Sequence, residues 1–111
     1  MAAANPQRVS QPQQQQLIRP ERLWAVKLLN DDYTPFDFVQ DLLVSFFHKT
    51  PDQAHEITLS VHVRGEGIAG VYPKMKAKFM AAQAMMMARQ QGHPLMCVAV
   101  PFDGEVPSDL L

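Results

Sequence analysis

The chain has 111 residues, 47% of them apolar and 19% charged, with a formal net charge of -1 and a single cysteine, Cys97. That length holds one domain and no more, and the near-neutral charge offers no general attraction to nucleic acid or to an anionic bilayer. One cysteine excludes an internal disulfide framework and fits a reducing cytoplasm, while no apolar stretch approaches the roughly 20 residues that span a bilayer.

In chain order, residues 1–22, MAAANPQRVSQPQQQQLIRPER, come first. They are rich in Gln, Ala and Pro, cannot bury enough surface to offset their ordering entropy, and predict a disordered extension. No basic segment followed by an apolar one marks them as a secretory signal. LWAVKLL, Leu23 to Leu29, alternates around Lys27 as a strand does. Asn30, Asp31 and Asp32 follow, and then Thr34 as a helix N-cap, Pro35 at the first helical position and Asp37 at the third, a capping-box layout. Phe38, Val39, Leu42, Leu43, Phe46 and Phe47 give that helix one wide apolar face.

Thr50, Pro51 and Gln53 repeat the start signal for a second helix, with Ala54, Ile57, Thr58 and Val61 as its inner stripe. Gly65 and Gly67 end it, and IAGVY forms a short strand. Pro73 opens a third helix, with Met75, Phe79, Ala82 and Met86 expected to face the core. Gly92 and Pro94 stop it, and LMCVAV, Leu95 to Val100, closes the core as a buried strand. The order β-α-α-β-α-β, with one layer of helices on a small sheet, predicts an α+β two-layer domain over residues 23–102, with a flexible end over 103–111.

Catalytic signatures are missing. Cys97 falls in a core strand, where a thiol is inert packing. There is no Gly-rich phosphate loop and no G-x-S-x-G elbow. His48 and His55 lie across a helix break and match no ligand spacing, and His62 with Asp31 and Asp32 makes only a weak metal set. No enzyme activity, cofactor or metal is expected.

The trio Asn30, Asp31 and Asp32 admits two readings. Asn and Asp are turn formers, and carboxylates at a helix start are stabilised by the helix dipole. Two adjacent carboxylates also repel, and a docked ammonium group, with three donors to share, would relieve that repulsion; His62 could supply a third partner.

At these residues the chain resembles a known family. LLNDDYTPFDFV, VHVRGEGIAGVY and GHPLMC, in this order and spacing between about Leu23 and Val98, are similar to the hallmark segments of ClpS, the adaptor that delivers N-degron substrates to the AAA+ protease ClpAP. The resemblance implies a small three-stranded antiparallel sheet packed by three helices, similar to the carboxyl-terminal domain of the ribosomal stalk protein. It implies that Asn30, Asp31 and His62 hold the free α-amino group of a substrate. A bulky first side chain (Leu, Phe, Tyr or Trp) then enters a pocket matching Asp32, Thr34, Phe36, Val39, Thr58, Leu59, Val61 and Leu95. The implied partners are such substrates and the amino-terminal domain of a ClpA-type AAA+ unfoldase in the bacterial cytoplasm, with the Gln-rich extension engaging the ATPase pore; the oligomeric state is open, with a monomer the default.

Four positions depart from the family pattern. Phe36 and Thr58 stand where Met is usual, so a stiffer gate and a wider or wetter pocket floor are expected. Met75 and Met80 stand where many relatives carry Glu and Lys that contact the ATPase, which leaves docking there open. Of Met75, Met80, Met85, Met86 and Met87, at least three are expected in the core and the remainder exposed. Two other classes stay in play: a divergent paralogue that docks on a Clp ATPase or another partner without binding degrons, and a purely structural interaction domain, which needs neither acceptor trio nor pocket.

Overall fold

The computed structural model of the protein describes residues 22–104. Its elements are β1 (Leu23–Leu29), α1 (Phe36–Ser45), α2 (Pro51–Arg64), β2 (Glu66–Pro73), α3 (Lys74–Gln90) and β3 (Met96–Phe102), the order expected. β1 lies between β2 and β3 and is antiparallel to both. Its central place explains its composition: Ala25, Val26 and Leu28 are fully buried, as suits a strand with backbone partners on both edges. A bulge interrupts the β1–β2 ladder, with Val26 opposite Gly70 but Lys27 opposite Ile68, so Ala69 is the extra residue.

Val26 and Leu28 meet Val39, Leu42, Leu43 and Phe47 from the α1 region, Ala54 and Val61 from α2, and the inner stripe of α3 in one core cluster. Arg22 and Asp103 clamp the outer ends of β1 and β3 with paired guanidinium–carboxylate bonds of 2.9 and 3.0 Å. Apart from Arg22, Asp103 and Gly104, the extension expected over 1–22 and the end expected over 103–111 lie outside the described residues.

The start of α2 follows the sequence expectation. Thr50 accepts from the Gln53 N–H, and the Gln53 side chain accepts in return from the Thr50 N–H, a complete capping box with Pro51 inside. Its end is the left-handed Gly65, at φ 91°. The start of α1 differs. The helix begins at Phe36 with Pro35 in the cap position and no side-chain cap, because the Thr34 hydroxyl is drawn backwards to Asp31.

α3 also differs, in rotation. Its buried stripe is Ala77, Met80, Ala81, Ala84 and Ala88, whereas Met75, Phe79 and Met86 are 75%, 59% and 52% exposed. Alanines let the helix axis approach the sheet, and the large side chains that looked like core occupy the opposite face. Met80 is therefore core and cannot serve as an ATPase contact, while Met75 stays available at the surface. Met85 and Met87 pack half-buried on the cluster, so three of the five methionines face inward, as expected.

Gly67 sets the distance between α2 and β2. A Cβ there would lie 2.9 Å from Val61 Cγ2 and 3.0 Å from the Ile57 carbonyl oxygen, which is backbone and cannot rotate away. Gly67→Ala is expected to destabilise the domain by about 1–3 kcal/mol, read as a lower urea midpoint with an unchanged slope.

Candidate functional site

Asp31 organises the connection from β1 to α1. Its Oδ1 accepts from the N–H groups of Tyr33 and Thr34, both at 2.7 Å, and its Oδ2 accepts from the Thr34 hydroxyl at 2.8 Å. Burial pushes this carboxyl up, but the bonds from Tyr33 and Thr34, helped by the positive charge of Arg89, outweigh burial and leave its pKa below the ordinary value. A carboxylate has about four acceptor positions; three are used, and one is left on a side chain that cannot swing. The side chains of Asn30 and Asp32 have no hydrogen-bond partner among the described residues, and both are exposed.

Asn30 is carried to α2 by its backbone, whose N–H donates to the Gly65 carbonyl at 3.0 Å. Gly65 in turn donates to the Val61 carbonyl, so the end of β1 and the last turn of α2 are joined. His62, in that last turn, is exposed, and its ring packs edge-on to Phe36 with centroids 5.1 Å apart and planes at 82°.

Below this polar rim is a hollow of about 270 Å³, lined by Leu29, Asn30, Asp31, Asp32, Thr34, Phe36, Val39, Thr58, Val61, His62 and Leu95. Ten of these lining positions are among the eleven that the sequence singled out. The exception among those eleven is Leu59, which lies 41% exposed on the outer face of α2 beside Glu56, Ser60, Val63 and Arg64. Helical geometry explains the correction: at about 100° per residue, Leu59 points about 100° away from Thr58 and about 160° away from Val61, which carries it off the wall that those two form.

The hollow has a graded character. Phe36, 44% exposed, forms its lip, whereas Val39, Thr58, Val61 and Leu95 are buried in its wall. The Thr58 hydroxyl donates to the Ala54 carbonyl at 2.7 Å, one turn back, so the polar group that replaced the usual thioether is bonded within its own helix. Leu29 was missed because strand alternation gave no reason to aim the last residue of β1 at a cleft. Arg89 was missed as a support. Its guanidinium donates to the carbonyls of His93 and Leu95 at 2.9 and 2.7 Å and approaches the Met96 sulfur, fixing the loop that presents Leu95. A basic residue in the last turn of a helix, just before a Gly-His-Pro stop, was the available signal.

Burial pushes the Cys97 thiol up to about 12, and no cluster of three or more His, Cys, Asp or Glu side chains suited to a metal occurs among the described residues. None of the described helices is long and apolar enough to cross a membrane.

Comparison with known proteins gives a consistent result. A family model described as ATP-dependent Clp protease adaptor protein ClpS matches residues 19–98. The ATP-dependent Clp protease adapter protein ClpS of Deinococcus radiodurans is 51% identical over 80 residues, covering 72% of this chain and 71% of the relative. That of Nitrosospira multiformis is 43% identical over 98 residues, covering 88% and 96%. Among solved structures, Agrobacterium tumefaciens ClpS2 bound to L-phenylalaninamide superposes with a TM-score of 0.71 at 32% identity, covering 74% of this chain and 99% of that one.

The turn bonds make Asp31 a structural residue as well as a site candidate. Asp31→Ala is expected to cost about 1–2 kcal/mol in urea unfolding at pH 7, the scale of a lost helix cap, while Asn30→Ala and His62→Ala stay within about 0.5 kcal/mol. The folded-state pKa of Asp31 is depressed, so its contribution is fully present above the unfolded value and fades as pH falls through the folded one. The stability gap between the unaltered protein and Asp31→Ala should therefore narrow below about pH 4.

Proposed function

The chain belongs to the ClpS family of Clp protease adaptors, and on that premise we propose that it binds proteins by a free α-amino group and a bulky hydrophobic first residue and passes them to a ClpA-type AAA+ unfoldase for degradation by ClpAP. The observation that carries this reading is the hollow itself, where Asn30, Asp31 and His62 stand at a polar lip above a wall of Val39, Val61 and Leu95. An α-ammonium group brings three donors. The unbonded Asn30 amide oxygen, the remaining acceptor position of Asp31 and a nitrogen of His62 supply three acceptors of the right kind.

The energies suit an adaptor. Burying a Leu or Phe side chain is worth about 1.5–3 kcal/mol, and each hydrogen bond to the charged terminus about 1.5–3 kcal/mol. Against these stands the loss of translational and rotational freedom on association, several kcal/mol or more. The balance falls at roughly micromolar dissociation constants: tight enough to select, weak enough to hand on. No bond is made or broken, so the work is selection and delivery, and the place of action is the bacterial cytoplasm. Residues 1–22 serve as the extension offered to the unfoldase, and the exposed face of α3, with Met75, Phe79 and Met86, is open to that partner.

Two site features set the selectivity. Acetylation removes the charge and two donors of the terminus, leaving Asp31 without the cation that its position favours. Phe36 at the lip is flat and stiff, so it stacks on aromatic guests and crowds β-branched ones.

Fluorescence anisotropy with labelled peptides that differ only at the first residue provides the test. Peptides beginning with Phe or Leu should bind at roughly micromolar concentration, and their acetylated or Gly-initiated forms should bind at least about tenfold more weakly. Asn30→Ala and His62→Ala should each weaken Phe-peptide binding by about tenfold or more without lowering the melting temperature. Equal binding of free and acetylated peptides would contradict the reading, and would favour a paralogue that docks on its partner without holding degrons.

A further inference from the structure

Of the four buried residues lining the hollow, Val39, Val61 and Leu95 offer only carbon, and Thr58 alone carries a polar atom. That atom has a defined hydrogen-bonding state. Its proton is committed to the Ala54 carbonyl at 2.7 Å, so Thr58 Oγ1 can take part in one further interaction only as an acceptor. A fully buried oxygen with spare acceptor capacity, set among three buried side chains that offer only carbon, discriminates between guests that end in a donor and guests that end in carbon.

Its depth suits such a guest. Thr58 lies one turn before His62 on α2, about 6 Å along the axis, and His62 is at the lip beside Phe36. That spacing is comparable to the reach of a tyrosine from its α-carbon to its phenolic oxygen. An aromatic residue whose terminus is held at the lip therefore has the reach to bring its para position to Thr58, which lines the same hollow.

We propose that Thr58 is a specificity-determining residue that makes a first-position tyrosine the preferred aromatic guest, its phenolic O–H donating to Thr58 Oγ1. The proposal rests on the reading that the hollow holds a substrate's first side chain. Asp32 also lines the hollow, but it is exposed and sits with Asn30 and Asp31 at the rim, where water competes for any donor. In a hollow without a buried acceptor the ranking is reversed, because the phenol loses its water and gains nothing.

Anisotropy titrations with two peptides that differ only in Tyr or Phe at the first position, on the full chain, decide the matter. The quantity read is the Tyr:Phe affinity ratio within each variant, so that general effects on the pocket cancel. The unaltered protein is expected to favour Tyr by about threefold to tenfold. Thr58→Val, which keeps the branched shape and removes the oxygen, is expected to bring the ratio to one or below. Thr58→Ser, which keeps the oxygen and loses the methyl group, is expected to retain the preference for Tyr, so a folding defect in one variant does not decide the outcome. Phe binding as tightly as Tyr in the unaltered protein, or a Tyr preference that survives Thr58→Val, overturns the proposal. A Leu peptide and its acetylated form separate the two levels: if they show amine-dependent binding and the ratio still fails, the role of Thr58 is wrong and the adaptor reading stands. If no free-terminus peptide binds, that reading fails and takes the proposal with it.

Discussion

One carboxylate makes the site possible. Asp31 draws two backbone N–H groups and one hydroxyl onto its oxygens, and in doing so turns the chain from the end of the central strand into α1. Without those bonds the backbone between Leu29 and Phe36 has no regular structure to hold it, and the groups around the hollow would not share a fixed frame. The same bonds leave the carboxylate ionised and immobile with one acceptor position uncommitted. A cationic guest meets a pre-positioned charge and need not order one, which lowers the cost of binding.

The second constraint is the approach of α2 to the sheet. Gly67 permits contact with the Ile57 carbonyl and Val61, and the Asn30–Gly65 bond couples the end of α2 to the turn that Asp31 builds. Together they put His62 over the lip and Thr58 and Val61 in the wall. Arg89 completes the enclosure from the far side by holding the carbonyls around Leu95. A polar rim over a largely apolar wall separates the two parts of the proposed recognition, in which the rim reads that a chain begins here and the wall reads what it begins with. The family to which the chain belongs is one of adaptors, and this division is what selection without chemistry requires.

Much of this was legible in the sequence because the signals were local. The capping box of Thr50 and Gln53, the alternation of Leu23 to Leu29 and the stop at Gly65 each depend on a few neighbouring residues, and all appear where the pattern put them. What failed depended on distance or rotation. The large apolar residues of α3 recur at helical spacing on its outer face, while the alanines that pack against the sheet carry too little hydrophobicity to announce themselves; Phe79, expected to face the core, thus lies at the surface. Thr34 looked like a cap because Ser and Thr before Pro usually are, yet Asp31, three residues earlier, claimed its hydroxyl first. Leu59 was placed in the hollow by the family resemblance, and its direction on α2, about 100° from Thr58, carries it off that wall. The motif residues at the rim were found because their chemistry, amide, carboxylate and imidazole, is unusual beside an apolar run. Arg89 was not, since its role depends on a loop it meets only in the fold.

The account can be tested most directly by a crystal structure of the protein with a peptide that begins with a free aromatic residue. It predicts the terminal nitrogen within hydrogen-bonding distance of Asp31 and Asn30, and the first side chain inside the hollow against Val61 and Leu95. A complex in which the peptide sits elsewhere, or in which the nitrogen points to solvent while Asp31 keeps only its three internal bonds, would contradict it.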